Sequence, residues 1–370
     1  MQQLQFFPSK TIAFYMGRSF LVRTFAILAA LVIILQTLDL LGESGDILAA
    51  PGNGQAALWH YVGLRLPQII SRFIPFSVLL ATLITLATLN QNSEVIAMKA
   101  AGVSAHQILA PLVLVSIGIA GVSFVFNDRI VTRATASLNA WQNVDYGAVP
   151  KASGGVTNVW VRDGDDLIHA DVVTGRREAT RLGHVTLYDR DGGALKHIVN
   201  APYATAVVAN GHVAAWQMHQ PSMFDVAAGT DSPIADVVFA RGVTPDQFTL
   251  SSVDADERGF ASLHAAIDEL KAAGRPTGPL EAGLWHKISG ALSAVLMPLL
   301  AGVAAFGLAR SGQLAMRAVI GMLLGFTYFV ADNFALAMGN FGAYPPQLAA
   351  WSPFLLFLLI GEAVLIRTEE

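Results

Sequence analysis

Six long apolar runs, three on each side of a polar middle, decide what this chain can fold into. Thr24 to Leu38 carries no charge and continues to Leu41 past Asp39 alone. Phe73 to Ser93, Gln107 to Asn127 and Ile288 to Ala309 are uncharged throughout. Ala318 to Met338 is interrupted only by Asp332, and Leu348 to Ile366 only by Glu362. Crossing a hydrocarbon core of roughly 30 Å takes about 20 mostly apolar residues. Within it every backbone polar group needs an internal partner, which a helix supplies. A transmembrane β-barrel is excluded, because its strands are alternating segments of about 10 residues. The composition agrees: 14% of residues are charged and 54% hydrophobic, against about 25% charged in soluble domains. A net charge of −4 leaves no basic footprint for nucleic acid. The absence of cysteine removes disulfide scaffolds, thiolate zinc sites and cysteine nucleophiles.

Basic residues in short loops set the orientation. Lys10, Arg18 and Arg23 precede the first run, and Lys99 lies between the second and third. Arg310 and Arg317 lie between the fourth and fifth, and Arg367 follows the sixth. The opposite short loops, 42–64 and 339–347, hold no Lys or Arg. Both termini are therefore expected in the cytoplasm and the polar middle outside. The first run is too long, and lacks a cleavage site, for a removed signal peptide, so it is expected to stay as an anchor.

Between Gly155 and Val226 the pattern becomes short β-type stretches separated by turns. Val156–Val161 meets the turn Arg162–Asp166 and continues as Leu167–Val173. His184–Tyr188 meets Asp189-Arg190-Asp191-Gly192-Gly193 and continues as Ala194–Val199. Ala204–Val208 and His212–Gln217 flank Asn210-Gly211. Such Asn-Gly and Asp-Gly steps supply the positive φ angles of tight hairpins, and regular short strands read as an all-β sandwich or roll. Phe260, Leu263, Ile267 and Leu270 then recur at helical spacing until Gly274 and Pro276 stop the helix. The spacing thus predicts an α-helical membrane protein with six transmembrane helices (3+3) and an inserted all-β domain. Its parts are transmembrane helices one to three over residues 1–127, the β-domain over 128–258, a connector helix over 259–282 and transmembrane helices four to six over 283–370.

The loop Asn92–Ser104 predicts a short cytoplasmic helix over about 93–102. Ser93 is placed to cap it, Glu94 to favour the positive end of its dipole and Gly102 to take the left-handed position that ends it. Ser104 with Gln107 reads as a capping box opening the third span. Such a helix suits a grip by a soluble partner, and equally an interfacial helix with no partner. No phosphate-binding G-x-x-x-x-G-K-[ST] loop occurs in the chain, so an ATP-driven process needs its ATPase on another polypeptide.

Motifs along the whole chain resemble the YjgP/YjgQ family, the LptF/LptG permease subunits of lipopolysaccharide exporters. They are Tyr15-Met16-Gly17-Arg18, Leu66-Pro67 with Pro75, Ser93-Glu94 with Met98 to Ser104, Leu263/Ile267/Leu270 with Trp285-His286-Lys287-Ile288, and Pro345 to Pro353. The opening and the tail lean to the LptG-like branch. The resemblance implies one half of a heterodimeric ABC-type permease in the bacterial inner membrane, paired with a paralogous subunit. Its β-domain would be a periplasmic jelly roll, joined by a single-span periplasmic jelly-roll protein. Lipopolysaccharide would leave the outer leaflet through a gate between helices one and five of the paired subunits. The chain would bind no cofactor, ATP and magnesium being used by a cytoplasmic ABC ATPase dimer.

On that resemblance Ser93, Glu94, Met98, Lys99 and Gly102 are the candidate contacts with the ATPase. Dipole stabilisation of Glu94 and cytoplasmic anchoring by Lys99 account for the same residues without a partner. Arg65, Arg72, Arg129 and Arg133 near the outer ends of spans two and three are candidates for the substrate's phosphates, since a guanidinium binds phosphate through two parallel hydrogen bonds. Simple snorkelling to lipid headgroups is the alternative. Asp39, with Glu43 and Asp46, makes the outer end of span one acidic where family relatives often carry basic residues. Asp332 is an intramembrane acid, suited to a cavity or gate, or to a hydrogen bond with a neighbouring helix. Gly321 and Gly325 allow close helix approach, within the chain or between subunits. The histidines, among them His184, His197, His212 and His219, lack metal-ligand spacing and read as strand residues. A membrane-anchored periplasmic scaffold or sensor is the main alternative; an ion-coupled secondary transporter is another, and it calls for more intramembrane ionisable pairs than Asp332 offers.

Overall fold

A computed structural model describes residues 9–147, 156–175, 177–209, 212–245, 248, 254–272, 275–307 and 314–369. The expected signals at Gly155, Asn210-Gly211, Gly274 and Arg310 lie outside the described residues. The chain divides into two compact units, one of Met1–Leu138 with Ala255–Glu370, the other Asn139–Asp254.

The first unit holds six helices long and apolar enough to cross a membrane. Helix α1, Lys10–Ala49, is 40 residues long and opens on Ser9, whose side chain accepts the Ile12 N–H at 3.2 Å. Helix α2, Gln55–Gln91, has 37 residues and runs unbroken through Pro67 and Pro75. At 1.5 Å per residue each measures roughly 55–60 Å, nearly twice a hydrocarbon core. The expected outer loop 42–64 is therefore largely helix. Only residues 50–54 break it, at Pro51 and at Gly52 with φ 87°. Loss of hydropathy marks where a helix leaves lipid, and helix breakers mark where it ends.

Helix α3 is the short Glu94–Ala100. Helix α4, Ala105–Phe126, opens with the Ser104/Gln107 capping box. It passes through a π turn, Asn127–Val131, into α5, Thr132–Gln142. On the far side of the insertion come α6, Phe260–Ala272, and α7, Gly278–Gly302, which ends in a second π turn, Val303–Gly307. Helices α8, Leu314–Asn340, and α9, Pro346–Glu369, complete the unit.

The fourth span, α7 with its π turn, is the most enclosed: 67% of its apolar window is buried, against 17% for α1 and 22% for α8. Its Leu296, Met297 and Leu300 pack in one core with Leu79, Leu83, Leu109, Leu112, Tyr328 and Phe357. Gly321 and Gly325 face α2 within the same chain. A Cβ at Gly321 would come within 2.6 Å of Leu83 Cδ2, and one at Gly325 within 2.3 Å of Leu79 Cδ2.

The second unit carries an eight-stranded antiparallel sheet: β1 Val156–Asp163, β2 Asp166–Thr174, β3 Arg181–Asp191, β4 Ala194–Ala209, β5 His212–His219, β6 Ser222–Asp225, β7 Thr230–Pro233 and β8 Val237–Phe239. The first hairpin closes on the pair Asp163/Asp166 with Gly164 at φ 63°. The second closes on Asp191/Ala194, with Gly192 and Gly193 both at positive φ, as a type I′ turn requires. Sequence reading split β4 in two at Pro202; it is one 16-residue strand. Along one edge it pairs with β3, and along the other with β6 through His197–Asn200 and with β5 through Tyr203–Ala209. Pro202, which has no N–H to give, falls between those two partners, where no donor is needed. Fully buried Trp216 centres the core, its indole N–H donating to the Val243 carbonyl at 2.9 Å and its ring meeting Phe248 edge-on at 4.9 Å.

Candidate functional site

Every candidate site residue lies in the first unit, in four places. The first is α3. Val95 and Met98 turn inward to the helical core, while Ile96, Ala97, Lys99 and Ala100 are exposed. Met98 was expected to face a partner; it is 9% exposed and anchors the helix instead. Ser93 does not cap with its side chain. It takes a left-handed φ of 60° because one residue must turn the chain between α2 and α3. The Asn92 Nδ2–H donates to Glu94 Oε1 at 3.3 Å. Gly102 holds φ 84° and closes the helix, with the Val103 N–H returning to the Met98 carbonyl at 3.0 Å. Lys99 stands over the Phe306 ring, Nζ 5.1 Å from its centroid.

The second place joins α1 to α2. Arg65 donates from Nε and Nη2 to Asp39 Oδ1 at 3.1 and 2.9 Å, and from Nη1 to Gln68 Oε1 at 2.7 Å. The Tyr61 hydroxyl donates to Asp39 Oδ2 at 2.6 Å. Two residues predicted separately as substrate contacts are thus one another's counter-ions. Asp39 belongs to this clamp, so it does not add an uncompensated negative charge to the end of span one.

The third place is a cavity of about 300 Å³ between α2, α4, α7 and α8. Arg72 and Asp332 both line it, with Asn127, His286 and Lys287. His286 Nε2 lies 3.0 Å from Asp332 Oδ2, and Asp332 Oδ1 has no hydrogen-bond partner among the described residues. His286 was missed because the fourth apolar run was counted from Ile288, whereas the helix opens well before it, at Gly278. A histidine within the first turns of an apolar run was the available signal.

The fourth place is an open cavity of about 650 Å³ lined by Asp128, Arg129, Thr132, Arg133, Glu257, Arg258, Gly259 and Ser262. Arg129 and Arg133 are exposed and one helical turn apart across the π turn. Arg258, not singled out by sequence, adds a third guanidinium. Asp128 is engaged elsewhere, accepting the Phe260 N–H at the start of α6. Three arginines and the Glu257 carboxylate thus line the cavity, an excess of guanidinium charge that suits a phosphorylated group.

Six helices long and apolar enough to cross a membrane, three before and three after an inserted β-unit in the chain, with ion pairs between helices and polar cavities among them, define a polytopic membrane protein. The family model for the lipopolysaccharide export system permease LptF/LptG matches residues 14–367, and the chain belongs to that family. It is 24% identical over 362 residues to the lipopolysaccharide export system permease protein LptG of Escherichia coli (strain K12), covering 95% of this chain and 97% of that protein. It is 25% identical over 372 residues to the LptG protein of Haemophilus influenzae (strain ATCC 51907 / DSM 11121 / KW20 / Rd), covering 97% and 99%. Both relatives carry the LptG name, the branch toward which the opening and tail lean.

Proposed function

We propose that this chain is the permease half of an ATP-driven lipopolysaccharide exporter, paired with a paralogous subunit and worked by a separate cytoplasmic ATPase dimer. The observation that carries the reading is α3: a seven-residue helix between two spans, rooted by Val95 and Met98 and presenting Ile96, Ala97 and Lys99 outward. A partner that grips this helix moves the spans on either side of it. In this reading α3 faces the cytoplasm and the β-unit the periplasm, where it hands the lipid to a single-span jelly-roll protein. Lipid leaving the outer leaflet places its phosphates against Arg129, Arg133 and Arg258, while Arg72 offers a further charge at the cavity containing Asp332.

Co-purification tests it. The tagged full-length chain is expected to bring down an ATPase, and Glu94→Arg is expected to abolish the association by reversing the charge in the first turn of α3. A wild-type chain that purifies as an ATPase-free homodimer overturns the reading.

A further inference from the structure

The most enclosed span is held near both ends by polar contacts. At the end of α7 the π turn Val303–Gly307 puts Phe306 beneath the Lys99 ammonium of α3. Near its start, His286 reaches Asp332 on α8. Roughly 30 Å of helix separates His286 from Phe306 at 1.5 Å per residue, about the thickness of a hydrocarbon core. Two features at Phe306 go beyond packing. π turns are rare and concentrate at functional sites. An ammonium over a ring face is drawn to the ring's quadrupole, a directional attraction that greasy contacts such as those of Val95 and Met98 lack. A cleft of about 240 Å³ beside them, lined by Leu83, Leu86, Ile96 and Ala318 among others, leaves room for the two to shift together.

We infer that Phe306 is a positioning residue of the export cycle, transmitting displacement of α3 to the fourth span, which carries it to the fifth through His286 and Asp332. This rests on the reading of α3 as the ATPase contact. When α3 moves, the ring follows the ammonium, and the π turn takes up the change without breaking the helix. The fourth span, enclosed along most of its length, cannot bend freely and moves as a rod. Its far end pulls on Asp332, and α8, the less buried of the two helices, yields.

The test uses the full complex of this chain with its paralogous subunit and ATPase, in liposomes containing lipopolysaccharide. Three quantities are read: ATPase recovered with the complex, ATP hydrolysed, and lipopolysaccharide released per ATP. Phe306→Leu keeps an apolar side chain and removes the ring. ATPase recovery is expected to match wild type while lipid released per ATP falls about 3- to 10-fold. Phe306→Tyr and Lys99→Arg preserve ring and cation and are expected to restore the yield. Lys99→Met is expected to lower it, with no further loss when Phe306→Leu is added. An unchanged yield in Phe306→Leu with the ATPase still bound overturns this inference and leaves the proposed function standing. So does independent multiplication of the two losses. Should Phe306→Leu fail to fold, Lys99→Met against Lys99→Arg decides, and equal yields overturn the inference. If no ATPase accompanies the wild-type chain, the function itself fails and the inference with it.

Discussion

Replacing Arg65 by Gln removes four hydrogen bonds at once, three to Asp39 (two of them shared by the one Nε–H) and one to Gln68, and leaves Asp39 with only the Tyr61 hydroxyl. The side chains of Arg65 and Asp39 are 34% and 21% exposed, so the pair sits between two measured extremes. Exposed ion pairs contribute about 0.2–1 kcal/mol, and stripping one partner from a fully buried pair costs about 3–5 kcal/mol. Solvent screening at Arg65 discounts the upper figure, which places the cost at about 2 kcal/mol. For a unit of this size that lowers the melting temperature by about 4–8 °C. The assay is thermal unfolding of the full chain in detergent at one scan rate, for wild type, Arg65→Gln, Asp39→Asn and the double variant. Because the two side chains share their bonds, the double variant should be at least ~1 kcal/mol less destabilised than the sum of the singles. A partly buried pair is weakly screened, so the deficit should survive moderate salt. Additive losses within about 1 °C refute the clamp.

Gly325→Ala forces a methyl toward Leu79 and should cost about 1–3 kcal/mol, partly recovered by adding Leu79→Ala; a destabilisation that Leu79→Ala only deepens places the contact elsewhere. The chain has no cysteine, so single introduced thiols report topology without background. Ala228→Cys should react with an impermeant maleimide in intact spheroplasts and Ile96→Cys only after permeabilisation, and the reverse pattern inverts the proposed orientation. Asp225 accepts the backbone N–H groups of Ala227 and Ala228 at 2.8 and 3.0 Å, which hold its carboxyl below the usual carboxylate range. Its stabilisation is present above the unfolded value of about 3.9 and is lost as pH falls through the lower folded value. Asp225→Asn should therefore flatten the acid limb of β-unit unfolding followed by circular dichroism, and an unchanged limb contradicts the assignment.

The centres of all six spans were legible because their signal is local and redundant: some 20 apolar residues leave no other home in a folded chain. Their ends were not, since α1 continues past Glu43 and Asp46 and α2 begins before His60 with no change in helical geometry. The Ser104/Gln107 box and the Gly192-Gly193 turn were readable for the same local reason. Ser93 misled because a cap and a left-handed turn favour similar small polar residues, and the choice depends on how closely α2 approaches α3. The clamp left no mark in sequence, as Arg65 and Asp39 lie 26 positions apart. The same holds for His286 and Asp332, 46 apart. Such pairs are set by how helices cross, which hydropathy does not encode. Met98 shows the converse error: a short helix between spans has its own buried side, and a residue-by-residue list overlooks it.

The two π turns close the third and fourth spans at opposite ends of the bundle, one by Arg129 and the other under Lys99. Each stores a spare residue, a loop of slack wound into an otherwise taut coil. A bulge of this kind migrates by handing its surplus to the next turn, so a helix can lengthen or shorten by a step without unravelling. Each rod therefore carries a place where a one-residue shift could be absorbed with the backbone bonds kept inside the helix, which matters where no water is at hand to replace a broken one.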